Sequence, residues 1–239
     1  MRIDLTGIII IVGNYGSGKT EVSINLAMER RRAGFEVRVA DLDLVNPYFR
    51  TREARSVLNQ HGIEVVLPPE QYMHADLPIL SPAIAGMLQR PTEVTLLDVG
   101  GDDVGATVLA ALGNVLRGKE LRLLQVVNPY RPFTETVEGC LKIRREIESA
   151  AKLRISGIIG NPNLIDETGP EDIYRGYDFV QNLSRKAGLS LEFLAVEAGL
   201  SAKIDANRFS CPVLPVDRRL VPPWKKADGA GSTGFTARP

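Results

Sequence analysis

The sequence predicts an α/β protein, a doubly wound and mostly parallel sheet. Three observations lead to it. Short β-type runs alternate with helical patterns along most of the chain, and those runs are nearly continuous apolar stretches, as burial on both faces demands. The first of them also feeds a glycine-rich turn that opens a helix.

The elements follow in order. Residues 7–12, GIIIIV, read as a buried strand, and the helix-favouring EVSINLAMERRR behind them places a helix over 20–33. FEVRVAD at 35–41 is the second strand, 50–60 a helix, IEVVL at 63–67 the third strand and 79–89 a helix. EVTLLDV at 93–99 and LRLLQVV at 121–127 are the next two strands, with a helix over 104–117 between them. Helix 134–151, LRISGIIG at 153–160, helix 171–187 and LEFLAVE at 191–197 complete the series. With 239 residues, 44% of them hydrophobic, the chain supports one sizeable core, so residues 1–224 are expected to form a single domain. Residues 225–239, rich in Gly, Ser, Thr and Ala without a periodic apolar face, read as a disordered tail.

Basic and acidic residues balance at 29 each, which removes the bulk electrostatic footprint of a nucleic-acid or anionic-membrane binder; no nucleic-acid patch is evident. The longest apolar run is too short to span a bilayer, and the N-terminus lacks a signal-peptide pattern, so a cytoplasmic protein without a membrane anchor is expected. Cys140 and Cys211 form no C-x-x-C and read as two ordinary reduced thiols. His61 and His74 share no metal spacing and read as non-catalytic.

The chemistry concentrates where the first strand ends. Gly13-Asn14-Tyr15-Gly16-Ser17-Gly18-Lys19-Thr20 is a P-loop at a strand-to-helix turn. Glycines let the backbone approach anionic oxygens, and the helix start adds unpaired N–H donors and the positive dipole end. Lys19 offers a point charge to the β- and γ-phosphates, and Thr20 a hydroxyl to Mg²⁺. After the fourth strand, Asp98-Val-Gly-Gly101 has the pattern of a metal-shell carboxylate followed by a glycine N–H for the γ-phosphate. The competing reading of Asp98 is a turn or helix cap, and Asp102 and Asp103 fit a helix cap themselves. Asp41 and Asp43 end the second strand two residues apart, hence on one face. One could orient an attacking water while the other supports it or the metal, and a solvated acidic loop is the plain alternative.

In their order along the chain these motifs resemble the nucleotide-binding domain shared by MinD/ParA, CobB/CobQ and dethiobiotin-synthetase-like proteins, over roughly residues 1–223. The resemblance implies a P-loop ATPase or ATP-dependent synthetase using ATP and Mg²⁺, with Asp43 or Asp41 near the attacking water and Gly101 sensing the γ-phosphate. One departure is plain: Asn14 stands where the MinD/ParA signature lysine would reach across a dimer, so that cation is missing. Arg50 and Arg52 are candidate replacements, with ordinary surface-helix arginines as the alternative.

For the base, Gly160-Asn161-Pro162-Asn163-Leu164 lacks the lysine and aspartate of the common guanine site, which favours adenine; an Asn-Pro turn is the plainer explanation. By resemblance, Asn161 would contact adenine, and Pro215-Val216-Asp217 would form the loop on its other side. Aromatic or Pro-rich loops at 46–50, 68–72, 128–133 and 221–224 could converge over the nucleotide. The leading expectation is an ATP hydrolase, slow without a partner, switching an unidentified protein partner; a homodimer stays open. The alternatives are a small-molecule synthetase or kinase, and a low-turnover metallocentre-maturation factor.

Overall fold

The computed structural model describes residues 1–43, 51–67, 82–101 and 103–220, with the backbone alone at residues 52, 53, 103, 104 and 106. Its strands are β1 (Gly7–Gly13), β2 (Val37–Leu42), β3 (Glu64–Val66), β4 (Val94–Val99), β5 (Leu121–Val127), β6 (Gly157–Gly160), β7 (Ser190–Glu197) and β8 (Val213–Val216). They form one sheet in the order β3-β2-β4-β1-β5-β6-β7-β8. Every pairing is parallel. The predicted doubly wound α/β architecture is therefore the one observed.

Helices flank the sheet: α1 (Lys19–Arg32), α2 (Arg55–Gln60), α3 (Pro82–Gln89), α4 (Asp103–Ala111), α5 (Gly113–Leu116), α6 (Val137–Ala151), α7 (Pro170–Ala187) and α8 (Ala198–Ser201). The period-two alternation of β1 decides which helices it holds. Ile9 and Ile11 face α1, packing with Val22, Leu26 and Met28. Ile8, Ile10 and Val12 face the other way, toward Met87, Leu88, Leu109 and Leu112 of α3, α4 and the turn beyond. A third cluster joins Ile158, Leu194 and Val196 to Ile173, Tyr177 and Val180 of α7.

Differences from the sequence reading are local and have physical causes. The helix expected over 50–60 is a 3₁₀ turn, Thr51–Ala54, leading into α2. The one over 104–117 breaks at Leu112 into α4 and α5. α6 begins at Val137 because the Thr136 hydroxyl caps it, accepting from the Gly139 N–H at 3.1 Å. β8 is an additional strand; its Pro215 cannot donate to a ladder and is tolerated because β8 is an edge, with β7 its partner.

Among the described residues no helix is long and apolar enough to cross a membrane. Cys140 and Cys211 are free and buried in the third cluster, as two reduced thiols would be. Burial pushes their thiols up to about 12 and about 11. The tail at 225–239 lies outside the described residues, as do His74 and the loops at 68–72 and 221–224.

Candidate nucleotide-binding site

The strand order reverses at β1, which lies between β4 and β5, and such a switch point opens a crevice at the carboxyl ends of the strands. The P-loop sits there. Gly18, at φ 87°, turns the chain into α1 in a left-handed conformation, and a Cβ on it would collide with the Asn161 side-chain amide. Lys19 folds back along the loop, donating from Nζ to the Asn14 carbonyl at 3.1 Å. Ser17, Lys19 and Thr20 are buried, while Tyr15 is 72% exposed at the rim. The Ser17 hydroxyl is buried without a hydrogen-bond partner, an orphan of the kind a bound ligand or water accounts for.

β4 carries the second part of the site. Because β4 inserts between β1 and β2, Asp98 stands directly opposite Asp41 in the sheet register. Both are fully buried. Burial pushes the Asp98 carboxyl up to about 7, with the Asp41 charge adding to the rise, while Thr51, Lys19 and Thr20 pull against it. Thr51 donates to Asp98 Oδ2 at 2.8 Å and Ser23 to Oδ1 at 3.2 Å, so a ring of hydroxyls surrounds the carboxylate. Asp43, just past β2, donates its backbone N–H to Asp41 Oδ1 at 3.0 Å. Gly101 presses on the P-loop: a Cβ there would lie 2.5 Å from Lys19 Nζ and 2.9 Å from the Tyr15 backbone nitrogen.

On the other flank, Asn161 follows β6 and donates from Nδ2 to the Ser17 carbonyl at 2.7 Å. That contact ties the expected base-side residue directly to the phosphate loop. Pro215 lies within β8 and is exposed, rather than in a loop. Asp217 follows it and exchanges backbone bonds with the Asn25 side chain, at 3.0 Å each way. Glu21 accepts from the N–H groups of Arg219 and Leu220, at 3.0 and 2.7 Å. Burial raises the Glu21 pKa, although those two N–H bonds oppose it. The first two turns of α1 thus hold the chain leaving β8.

Lys19, Thr20, Asp41, Asp98, Gly101 and Asn161 converge, whereas Asp217 meets α1 at Asn25, beyond its first turn, and Pro215 is exposed on β8. Arg50 and Asp102 lie outside the described residues, as do the side chains of Arg52 and Asp103. His61 donates from Nδ1 to the Val57 carbonyl, 2.9 Å away, a contact local to the end of α2. Sequence reasoning missed Ser23, Thr51, Glu21 and Asn25. Ser23 had a signal, since it lies one helical turn beyond Lys19 and Thr20 on the same face; Thr51 had none, because its contact depends on the sheet order.

The fold is thus one eight-stranded parallel sheet flanked by helices, with the glycine-rich 13–20 turn at the switch point. No protein-family model matches the sequence, and comparison with curated proteins finds no match. Solved structures do match. The cell division protein FtsY of Thermotoga maritima aligns with a TM-score of 0.58 at 20% identity, over 82% of this chain and 63% of that one. FtsY of Mycoplasma mycoides aligns at 0.54 and 17%, over 80% and 61%. The signal recognition particle 54 kDa protein of Aeropyrum pernix, solved in complex with GDP, aligns at 0.53 and 19%, over 80% and 42%. The chain thus spans less than two thirds of these structures' own length.

Proposed function

We propose that this chain is a Mg-ATP-binding P-loop ATPase of MinD/ParA-like character that acts as a nucleotide-dependent switch on a partner protein. One observation carries the reading: Gly101, at the end of the metal-carboxylate strand, lies against Lys19 and the P-loop backbone. A γ-phosphate held by Lys19 would occupy the seam between these two loops, so its presence or loss would move one against the other.

The residues present suit the ligand. The orphaned Ser17 hydroxyl lies in the loop that would wrap the phosphates. Thr20 and Asp98 would hold Mg²⁺, whose charge would offset that of the phosphates. A cation beside Asp98 would also relieve the burial and the Asp41 repulsion that now raise its pKa. In this reading Asp41 and Asp43 position the attacking water, and hydrolysis is slow alone because Asn14 supplies no cation.

Adenine is favoured by the Asn161 amide. Nδ2 gives one hydrogen to the Ser17 carbonyl, and its second N–H together with Oδ1 would supply a donor and an acceptor, the pair that the adenine amino edge needs. The GDP in the signal-recognition neighbour supports the competing guanine reading. Competition calorimetry decides between them: ATP should bind at least tenfold tighter than GTP, on the order expected when one buried hydrogen bond is mismatched. GTP binding as tightly as ATP would overturn the adenine assignment.

A further inference from the structure

The 128–134 loop after β5 is tied down along its whole length. Asn128 Oδ1 accepts from the Tyr130 N–H at 3.0 Å, and Asn128 Nδ2 donates to the Asn163 carbonyl at 2.8 Å. The Thr134 hydroxyl reaches the Asn128 carbonyl at 2.6 Å and the Arg131 carbonyl at 2.9 Å, and the Tyr130 hydroxyl donates to the Asp172 carbonyl at 2.6 Å. Asn14 closes the set by donating from Nδ2 to the Pro132 carbonyl at 2.9 Å, which clamps this loop onto the P-loop.

The clamp presents Arg131. Its Cδ and Nε lie 3.8 and 3.9 Å from the position of a Cβ on Gly16, in the middle of the P-loop. Its Nε is buried and has no hydrogen-bond partner, and the guanidinium makes no ion pair among the described residues. A guanidinium is always charged, and burying one of its N–H groups unpaired is costly, so a group in this condition calls for an anionic partner. The second orphan nearby, the hydroxyl of fully buried Ser17, belongs to the same P-loop. Two unsatisfied donors flanking one anion-binding turn are what a missing phosphate chain would leave.

We propose that Arg131 is a second cation of the phosphate site, delivered in cis by the 128–134 loop and contacting the polyphosphate chain of the bound nucleotide. The inference rests on the nucleotide-binding reading above. It also gives Asn14 a function: the residue is not itself the cation but the anchor of the loop that carries one. A guanidinium can bridge two phosphate oxygens in its planar fork, which a lysine at position 14 could not do.

The test compares wild type with Arg131→Ala, Arg131→Gln, Arg131→Lys and Lys19→Ala, by calorimetry with Mg-ATP and ADP at two salt concentrations and by single-turnover hydrolysis. Arg131→Ala and Arg131→Gln should each weaken Mg-ATP binding about tenfold and lower its salt dependence, Arg131→Lys should recover part of both, and added guanidinium should partly restore hydrolysis in Arg131→Ala. The Gln variant keeps the stem that packs on Gly16, so equal losses in Ala and Gln separate charge from packing. Wild-type affinity and salt dependence in both neutral variants, with Lys19→Ala clearly impaired, would overturn the role of Arg131 alone. Absence of nucleotide binding by the wild type would instead remove the reading beneath it.

Discussion

The two halves of the sheet differ in the polar groups they bury. On the β2-β4-β1 side, Ser17, Lys19, Thr20, Ser23, Asn25, Asp41, Asp43, Thr51 and Asp98 are all buried. On the β6-β7-β8 side the interior is Ile158, Ile159, Phe193, Leu194, Val196 and Leu214, and Asn161 is buried only past a strand end, where it turns to the P-loop. Tyr177 packs edge-on against Phe209 at 4.8 Å, and Tyr174 lies 5.9 Å from the same ring. Both halves have apolar cores, but only the β2-β4-β1 half also accepts the repulsion of two facing carboxylates. The buried polar groups are thus gathered in one region of an otherwise apolar core, as expected where a candidate site violates the rules that build the rest of the fold.

That separation breaks most visibly at Phe209. Replacing it with Ala empties a well-packed site and should cost about 3–5 kcal/mol of unfolding free energy, read from urea midpoints. The nucleotide affinity of the molecules that remain folded should stay at the wild-type level. A variant that keeps its stability would show that the packing around Phe209 contributes little to the fold.

The carboxylates should behave the other way. Asp98→Asn removes a buried repulsion with Asp41, so the ligand-free protein should melt at or above the wild-type temperature while Mg²⁺-dependent nucleotide affinity falls about tenfold. Asp41→Asn and Asp43→Asn should keep that affinity and lose most hydrolysis in single-turnover assays. Wild-type turnover in both would make the pair structural, and a marked fall in the melting temperature of Asp98→Asn would erase the contrast between the halves.

The smallest effect belongs to Glu148 on α6, which serves neither half's ligand chemistry. It accepts from the Ile155 N–H at 2.9 Å, from Arg144 at 3.1 Å and from Arg154 at 3.2 Å. Burial alone would raise its pKa, but these partners outweigh it and hold it below the ordinary 4.5. A lowered carboxyl pKa contributes stability above 4.5 that is lost as pH falls through the folded-state value. Glu148→Gln should therefore cost about 1 kcal/mol at neutral pH and show a flatter loss of stability in acid, measured by denaturation at both pH values. Parallel pH curves for the two proteins would remove Glu148 from the account.

Much of the site was legible because its signals are local. The P-loop, the apolar strand ending at Asp98 and the glycine three residues on each encode a backbone conformation within a few positions. The hydroxyls around Asp98 were less legible. Thr51 is 47 residues from Asp98 and nothing in its segment announces the contact, whereas Ser23, 75 residues away, had only its helical phase with Lys19 and Thr20 to mark it. β8 escaped notice because four residues containing a proline carry too little pattern to be told from a loop.

By itself the sequence determined the alternation of strands and helices, the parallel sheet and the glycine-rich turn between β1 and α1, since hydrophobic period and glycine placement act over one or two turns of chain. Only the tertiary structure decided that β4 inserts between β1 and β2 and so sets Asp98 against Asp41, that Asn161 reaches Ser17 across 144 residues, and that Asn14 binds Pro132 across 118. Those contacts follow from which strands lie side by side, and strand order is settled by the packing of whole elements, which no short stretch of residues encodes.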